Sequence, residues 1–434
     1  MASLSIPPTS VDLFAGCGGL SLGLHQAGWE GMFAIEKDPM AFETLRQNML
    51  TDGAPYPGFG LWPDWLKKAP HDVEGVLKEP MIRGHLEELS GEVGLIAGGP
   101  PCQGFSVGGR RNGRDDRNQL VHRMLELVEL VRSPLVLVEN VEGITRRFIS
   151  KPGKSQDDAV ADQIVVRLRE LGYGSSYSIV DASDFGVPQL RRRVLIVGID
   201  PSLGGEGAAA RFPEVLERMR VEMLKAVRLP YRRKITVGEA VEDLAGERRV
   251  ECPDSPGFES ATYRPEPPGS AYGRLMRSGI AASEVPDSHR LSKHGDRIKK
   301  LYETVHATQP PGRLQKSFLL AQGTKKDKKV LLDAKAPAST ITTHPDEFIH
   351  YREPRNVTVR EMARLQSFPD DFTFHGRYTI NGPRRRFDVA RCSQVGNAVP
   401  PLLSRAVGLA LLQVAAGDLR QESQDVEALE LAIS

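Results

Sequence analysis

A short apolar run that ends abruptly is the feature that most constrains this chain. Val93–Ala97 predicts a buried strand, and the glycines and prolines of Gly98–Pro101 end it sharply. Cys102 therefore follows on a loop at the strand tip, where ligands gather in open α/β sheets. A cysteine held on such a turn can present its sulfur to a substrate; the alternative is a buried structural cysteine.

Composition narrows the class of protein. The chain has 434 residues, enough for two domains, and its 40% hydrophobic and 26% charged residues are ordinary for a globular protein. The net charge of +1 predicts that any basic surface is local. Four scattered cysteines without CxxC spacing argue against a metal site or a disulfide framework. Without a secretion signal or a membrane-length apolar run, we expect a soluble, cytoplasmic protein.

The N-terminal segment predicts a nucleotide-like ligand. The strand Val11–Phe14 runs into a glycine-rich turn and then a helix, an arrangement that brings backbone N–H groups against such ligands. Ser21 stands where a dinucleotide fingerprint has its third glycine, which weakens an NAD assignment. Glu36 ends the second strand, 24 residues after Asp12, and suits hydrogen bonds from both ribose hydroxyls.

Charged residues also stand at other strand ends. Glu139 follows the apolar strand Leu135–Val138, which predicts a desolvated carboxyl with a raised pKa suited to proton donation; an N-cap is the alternative. Arg191 and Arg193 share one strand face by alternation and suit an anionic or electron-rich substrate. The basic loop 106–114 is either a mobile lid that contacts phosphates or a solvated loop.

The regular alternation of strands and helices has two interruptions. Residues 50–80 are rich in proline and glycine and predict a surface insertion. From 201 to 355 proline, glycine and charge dominate, which predicts a second, less regular domain with local basic patches. An apolar helix from Leu402 to Val414 is expected to pack inside the first domain.

Taken together, these segments resemble the 5-methylcytosine DNA methyltransferases of the prokaryotic restriction-modification type. The resemblance covers most of the chain except about residues 50–80 and 201–335. It rests on blocks in the family's order: Asp12–Ser21, Gly99–Ser106, Glu139–Val141, Gln189-x-Arg191-x-Arg193, Arg360–Pro369 and Gly396–Pro401.

The resemblance implies a fold and a domain organisation. The fold class is α/β, with a Rossmann-like S-adenosylmethionine-dependent methyltransferase domain of mixed, mostly parallel sheet and helices on both faces. This catalytic domain is expected from 1–200 and 386–434, and a smaller, irregular target-recognition domain from 201–385. The implied partner is double-stranded DNA, with a cognate restriction endonuclease or an orphan role, and the chain is expected to be a monomer.

The resemblance also implies roles for residues. Cys102 adds as thiolate to carbon 6 of a flipped cytosine, Glu139 protonates or hydrogen-bonds ring nitrogen 3, and Arg193 holds the carbonyl oxygen. Arg191 is a further cation that favours the thiolate. Phe14 stacks on adenine and Glu36 binds the ribose. The remaining expected cofactor ligands are Asp12, Gly16, Cys17, Gly18, Gly19, Pro100, Asn397 and Val399; the expected DNA contacts are Gln103, Ser106, Arg110, Arg111 and Gln189.

Two departures and three alternatives accompany the resemblance. His85 stands where the family usually has an aspartate that receives the adenine amino group, and Gly94 replaces a common aspartate before the nucleophile loop. An RNA cytosine-5 methyltransferase and a non-catalytic DNA-binding regulator with the same fold remain as alternatives. An NAD-dependent oxidoreductase is a more remote one.

Overall fold

The computed structural model describes residues 6–101, 118–146, 159–246, 248–265, 268–324, 328–379 and 388–417. The strands are β1 (Thr9–Leu13), β2 (Glu30–Ile35), β3 (Leu95–Gly98), β4 (Leu135–Val141), β5 (Gly174–Asp181), β6 (Gln189–Leu190), β7 (Arg192–Ile199), β8 (Arg249–Glu251), β9 (Glu259–Ala261), β10 (Gly312–Arg313), β11 (Val330–Leu331), β12 (Ala338–Ser339) and β13 (Phe348–Ile349). The α-helices are α1 (Gly19–Ala27), α2 (Pro39–Met49), α3 (Val73–Lys78), α4 (Pro80–Glu88), α5 (Asn118–Val131), α6 (Val160–Glu170), α7 (Gly205–Ala226), α8 (Val237–Val241), α9 (Ala271–Met276), α10 (Asp296–Thr308), α11 (Lys316–Ala321), α12 (Val359–Leu365), α13 (Arg391–Asn397) and α14 (Pro401–Ala416).

The chain forms two compact units. Unit 1 comprises Met1–Asp181, Arg192–Met223 and Leu403–Ser434, and unit 2 comprises Ala182–Arg191 and Leu224–Leu402. Residues 182–191 and 388–402, which the sequence grouped with the catalytic domain, therefore cluster with unit 2, whereas 201–223, expected in the target-recognition domain, cluster with unit 1.

Unit 1 contains a six-stranded sheet in the order β2-β1-β3-β4-β7-β5. The four strands from β2 to β4 are parallel, and β7 runs antiparallel to both β4 and β5. β3 and β4 are buried along almost their whole length, as their unbroken apolar sequences predict for parallel strands. This mixed sheet with its associated helices confirms the predicted α/β class.

The register of these strands aligns their carboxyl ends. Leu13 of β1 lies opposite both Ile35 of β2 and Gly98 of β3, and Gly98 lies opposite Val138 of β4. The residues that follow these positions therefore meet along one edge, which we call the carboxyl edge: Phe14, Glu36, Gly99 and Glu139. The predicted ligand-binding residues of three separate sequence blocks are brought together by this register.

Local sequence explains why the surrounding helices form. Asp38 caps α2, because its side chain accepts hydrogen bonds from the backbone N–H groups of Met40 and Ala41, and Pro39 occupies the first turn. α5 is amphipathic and buries Met124 and Val128 on one stripe. These side chains belong to a core continuous with the sheet, where each large apolar side chain contributes about 1.5–3 kcal/mol.

The segment 50–80 is more than a surface excursion. Leu66 and Val76 are buried in the unit 1 core, and Val73–Lys78 forms helix α3. The backbone N–H of Gly31 in β2 donates to the carbonyl of Gly58 at 2.7 Å. A side chain at position 31 would collide with the Phe59 ring, so glycine permits this close approach. The segment thus covers part of the outer edge of β2.

The C-terminal helical stretch Arg391–Ala416 is long and apolar enough to cross a membrane, but two-thirds of its most apolar part is buried within the protein. In unit 1, the indole nitrogen of Trp29 donates to the carbonyl of Gly408 in α14 at 2.9 Å. A Cβ at Gly408 would lie 2.8 Å from the Cβ of Ala27 in α1. α14 is therefore packed against α1 as a core helix, as expected from its sequence.

Unit 2 has short strands and a core that contains many buried charges. Its largest sheet has three strands of two residues each, in the order β10-β11-β13. Arg364 of α12 is fully buried and donates to Asp370 at 2.5 and 2.6 Å and to Asp243 at 3.0 and 3.1 Å. Arg355 likewise donates to both carboxyl oxygens of Glu361, at 2.7 and 2.8 Å. Bidentate pairs of this kind offset the cost of burying the charges.

Candidate active site

Glu36 presents a fixed carboxylate at the carboxyl edge. One oxygen accepts the backbone N–H of Gly16 at 2.9 Å, and the other accepts that of Asp38 at 2.7 Å. Burial raises the pKa of Glu36, whereas these two amides lower it. Each carboxylate oxygen retains a lone pair beyond its backbone bond. Two parallel acceptors in fixed positions suit a vicinal diol, which is the ribose role predicted from the sequence.

The turn between β1 and α1 has an unusual backbone. Phe14, Gly16 and Gly18 have φ angles of 60°, 58° and 93°, in the left-handed region. For Phe14 this conformation is strained, and it occurs at the strand tip with the ring partly exposed. A Cβ added at Gly16 would meet no described atom within 4 Å, so space lies beside the backbone there. Gly19 begins α1, whose free N–H groups attract negative charge.

Asp12 and Cys17 lie beneath this turn. Asp12 is buried and accepts a hydrogen bond from the hydroxyl of Ser21, while its Oδ1 has no partner among the described residues. Burial raises the pKa of Asp12 to about 7. The Cys17 side chain is also buried, and burial raises the pKa of its thiol to about 12. A contact from Cys17 to a ligand would therefore come through its backbone rather than through a thiolate.

Glu139 and Arg193 form the charged pair of the carboxyl edge. The Arg193 Nε lies 2.9 Å from Glu139 Oε1, and both residues are 8% exposed. This contact is a close ion pair without the direction of a hydrogen bond, and Oε1 has no hydrogen-bond donor within the described chain. Burial lowers the pKa of Arg193, and the Glu139 carboxylate opposes that shift. A Cβ at Gly99 would lie 3.2 Å from Glu139 Oε2, so glycine leaves the carboxylate accessible.

Asn140 is a site residue to which the sequence had assigned no separate role. Its amide nitrogen donates to the carbonyl of Pro100 at 3.0 Å, and the side chain is almost fully buried. The bond ties the end of β4 to the peptide two residues before Cys102. Its position directly after Glu139, at the end of an apolar strand, was the sequence feature that could have indicated a role at the site.

Some predicted site residues lie outside the described residues. They are Cys102, Gln103, Ser106, Arg110 and Arg111.

Gln189 has a different environment from the one expected of a DNA contact. Its side chain is fully buried in unit 2. The amide nitrogen donates to the carbonyl of Leu365 and to Oε1 of Gln366, each at 2.7 Å, and the amide oxygen accepts the N–H of Ile341 at 3.0 Å. These bonds join three distant segments of unit 2, so the side chain holds the fold rather than facing a ligand.

Arg191 is likewise engaged within unit 2 instead of standing free as a catalytic cation. Its guanidinium donates to the carbonyls of Ile341, Gly396 and Ala398 at 3.2, 3.0 and 3.1 Å. The last two carbonyls flank Asn397, whose side chain is exposed, and Val399 nearby is half-buried. Arg191 thus fixes the backbone around these two predicted cofactor ligands.

Comparisons with known proteins decide the family. The model of the C-5 cytosine-specific DNA methylase family matches residues 9–413. The chain belongs to this family. It is 31% identical over 462 residues to the Type II methyltransferase M.AgeI of Thalassovita gelatinovora, covering 92% of this chain and 97% of that protein. It is 27% identical to the Type II methyltransferase M1.HphI of Haemophilus parahaemolyticus, covering 94% and 87% of the two chains.

A solved structure shares the fold. A crystal structure from E. coli, described as a DNA modification methyltransferase encoded within a prophage, matches with a TM-score of 0.61 and 24% identity. The match covers 94% of this chain and 99% of the other.

This C-5 cytosine-specific DNA methylase transfers a methyl group from S-adenosylmethionine to carbon 5 of cytosine in DNA, and the predicted enzyme class is confirmed. The residues present fit the cofactor, which supplies the electrophilic methyl group when bound. Glu36 offers acceptors for the ribose, and the orphaned buried Oδ1 of Asp12 offers a further acceptor beneath the turn. The open space at Gly16 and the N-terminus of α1 suit the polar end of the molecule.

The departure at His85 is visible in this methylase. His85 lies in helix α4, and its ring is stacked on Trp65 with centroids 5.2 Å apart. Its Nδ1 lies 3.0 Å from Glu88 Oε2. Both contacts lie within unit 1, and they hold the imidazole against the segment 50–80.

Proposed function

We propose that this enzyme methylates cytosine within one short sequence of double-stranded DNA, with the carboxyl edge of unit 1 as the catalytic centre and unit 2 as the target-recognition domain. The observation that carries the assignment of the centre is the Glu139–Arg193 pair. A buried carboxylate keeps one oxygen without a hydrogen-bond donor beside a guanidinium, and its other oxygen lies next to Gly99. An acceptor oxygen beside a donor guanidinium suits a flipped base, which presents both donors and acceptors on its edge.

In this mechanism each residue acts according to its chemistry. Cys102, as thiolate, adds to carbon 6 of the cytosine, and electron density moves to carbon 5. Glu139 protonates or hydrogen-bonds ring nitrogen 3, while Arg193 holds the carbonyl oxygen and stabilises the negative charge that develops there. Once carbon 5 has taken up the methyl group that the cofactor supplies, loss of its proton to a base breaks the bond between carbon 6 and sulfur and releases the cysteine thiolate. Asn140 positions the peptide that leads into Cys102.

Cofactor binding is assigned first to residues at the carboxyl edge of unit 1. We assign the ribose to Glu36 and adenine stacking to Phe14. The backbone of the turn, with Gly16, Cys17, Gly18 and Gly19, lies beside the amino-acid end. On the family resemblance we also keep Pro100, Asn397 and Val399 as proposed cofactor ligands. Gln189 and Arg191 act through the backbone they hold.

The biological setting follows from the relatives. M.AgeI and M1.HphI are Type II methyltransferases, which supports a role in restriction-modification with a cognate endonuclease as partner. We further propose that the enzyme works as a monomer on chromosomal DNA, in the cytoplasm and associated with the nucleoid.

Expression in a host without cytosine methylation, followed by genome-wide mapping of 5-methylcytosine, tests the function. We expect methylation at one short repeated sequence, and none from the Cys102→Ser variant. A genome that stays unmethylated while the soluble protein binds S-adenosylmethionine would contradict the proposal.

A further inference from the structure

One arginine of unit 2 lies against two aromatic rings. The guanidinium carbon of Arg290 is 4.3 Å from the ring centroid of Phe258 and 4.1 Å from that of Tyr378. Its Nη1 donates to the hydroxyl of Ser255 at 3.1 Å. Stacking on aromatic faces and a fixed hydrogen bond restrict the planar group to one orientation.

The segments that carry these side chains are themselves well connected. Phe258 and Ser255 come from the loop between β8 and β9. That loop is closed by backbone bonds from Cys252 N to Phe258 O at 2.8 Å and from Phe258 N to Ser255 O at 3.1 Å. The residue after Arg290 donates its N–H to the carbonyl of Glu259 at 2.8 Å. The loop and the rings therefore hold the guanidinium in place before a ligand binds. This reduces the conformational entropy that the side chain loses on binding.

Arg290 has no carboxylate partner among the residues that the structure describes. The acid in this cluster, Asp254, is engaged by Arg391 and Tyr378. Other arginines of unit 2, such as Arg233, are paired with carboxylates. Lys293 adds a second positive charge, 5.1 Å from the Phe258 ring centroid.

Burial lowers the pKa of Arg290, which indicates that its charge is partly desolvated without full compensation. A half-buried cation in a fixed orientation gains most from an electron-rich ligand that replaces the missing counter-charge.

We propose that Arg290 binds an electron-rich acceptor of the DNA substrate, either a phosphate oxygen or the O6 and N7 edge of a guanine, and thereby contributes to target recognition. The planar fork matches both acceptors. This inference rests on the proposed role of unit 2 as the target-recognition domain. Phe258 and Tyr378 orient the guanidinium, and Lys293 strengthens the local positive potential.

The test compares full-length wild type with Arg290→Gln, Arg290→Lys and the control Arg297→Gln, an exposed arginine that donates to the carbonyl of Gly323. Binding to the methylated-site duplex found by genome mapping, and to a duplex with that site scrambled, is measured over a range of salt concentrations. We expect Arg290→Gln to weaken binding to the target duplex by about 10- to 100-fold, and Arg297→Gln to change it less than about twofold.

The two acceptors give different patterns. If Arg290 binds a phosphate, both duplexes lose affinity equally, the salt slope falls by about one, and Arg290→Lys retains most of the binding. If it binds a guanine edge, the loss is confined to the target duplex, methylation relaxes at one position, and lysine restores little.

Wild-type target affinity, salt slope and methylation pattern in Arg290→Gln would overturn the proposal. Thermal unfolding and S-adenosylmethionine affinity establish that each variant is folded. If Arg290→Gln does not fold, Arg290→Lys and Phe258→Leu are used instead. Wild-type DNA binding and a wild-type methylation pattern in both of these variants would also overturn the proposal. Failure of the proposed function is distinct, because wild type itself would then neither methylate nor discriminate between the duplexes.

Discussion

The buried carboxylates of the two units differ in how fully they are used. At the carboxyl edge of unit 1, Asp12 and Glu139 each keep one oxygen without a hydrogen-bond donor among the described residues. In unit 2, Glu361 and Asp370 each receive hydrogen bonds on both oxygens from a buried arginine. The pKa values differ in the same way. Burial raises the pKa of Asp12, whereas a paired arginine lowers the pKa values of Glu361 and Asp370 below their usual range despite burial.

This difference separates two uses of buried charge. A carboxylate saturated by its own protein stabilises the fold and has nothing left for a ligand. One with an oxygen that lacks a hydrogen-bond donor costs stability in the free protein and gains a partner when the ligand arrives. We infer that the edge carboxylates of unit 1 serve ligands and those of unit 2 serve structure.

The largest expected effect is that of Glu139→Gln. The amide keeps the shape but loses the proton-transfer capacity and the ion pair with Arg193, so the rate of methyl transfer should fall by about 10²- to 10⁴-fold. Single-turnover methylation of the target duplex measures this. The control Glu142→Gln removes a carboxylate that pairs with the exposed Arg192 and should leave the rate unchanged. An unimpaired Glu139→Gln enzyme would remove this residue from the chemistry.

The reverse outcome is expected for Arg364→Met in unit 2. Removing the guanidinium takes away the donor that bridges the buried Asp243 and Asp370, which should cost about 3–5 kcal/mol in the free energy of unfolding. The matched control is Arg167→Met on α6, which removes surface ion pairs with Glu129 and Glu170, each worth less than about 1 kcal/mol. Denaturant unfolding of both variants provides the comparison, and equal losses in the two would contradict a structural role for the buried network.

An intermediate effect is expected for Asn140→Ala. Loss of the bond to Pro100 should slow methyl transfer by about 10-fold, with the affinity for S-adenosylmethionine unchanged, because the segment leading to Cys102 is less well held. Asn48→Ala is the matched control, since Asn48 makes the same kind of buried bond, to the carbonyl of Thr44. It should lower stability without lowering the rate. If both variants slow the reaction equally, Asn140 has only a general structural role.

The smallest effects concern pH, with opposite signs in the two units. The pKa of Asp12 rises to about 7, so folding favours its protonated form and its contribution to stability falls as pH increases from about 4 to 7. Asp12→Asn should therefore raise the Tm at pH 8, and the gain should shrink below pH 7. Although burial opposes it, the Arg355 guanidinium lowers the pKa of Glu353 to about 2.

Glu353 thus stabilises the fold at pH values above the pKa that it has in the unfolded chain. This contribution is lost as the pH falls from about 4.5 to 2. Glu353→Gln should lower the Tm at pH 8 and approach wild type in acid. Each slope is at most about 1.4 kcal/mol per pH unit. Scanning calorimetry from about pH 2 to 8 without cofactor measures both variants; slopes of the same sign would contradict the distinction between the units.

The sequence predicted the carboxyl edge because strand ends can be read locally. Apolar runs gave the strands before Glu36 and Glu139, and parallel pairing placed their ends along one edge. Local pattern was sufficient there because each element satisfies its own periodicity.

Other features depend on contacts between distant residues. Gln189 meets Leu365 and Arg191 meets Gly396, and no local pattern indicates whether such side chains face a ligand or the core. The 22-residue helix α7 lies where the sequence indicated irregular structure, because it contains glycines and Pro213. Burial of Phe212 and its apolar neighbours in the tertiary structure overrides these weak helix formers.

The most direct test of the central claim is a calorimetric titration of S-adenosylmethionine into Glu36→Gln and Glu361→Gln, at a temperature where both are folded. Glu36 uses one lone pair on each oxygen for the backbone, whereas Glu361 is saturated by Arg355 and the cap of α12. The account predicts about 10- to 100-fold weaker binding for Glu36→Gln and wild-type binding, with a lower Tm, for Glu361→Gln. Wild-type affinity in Glu36→Gln would contradict it.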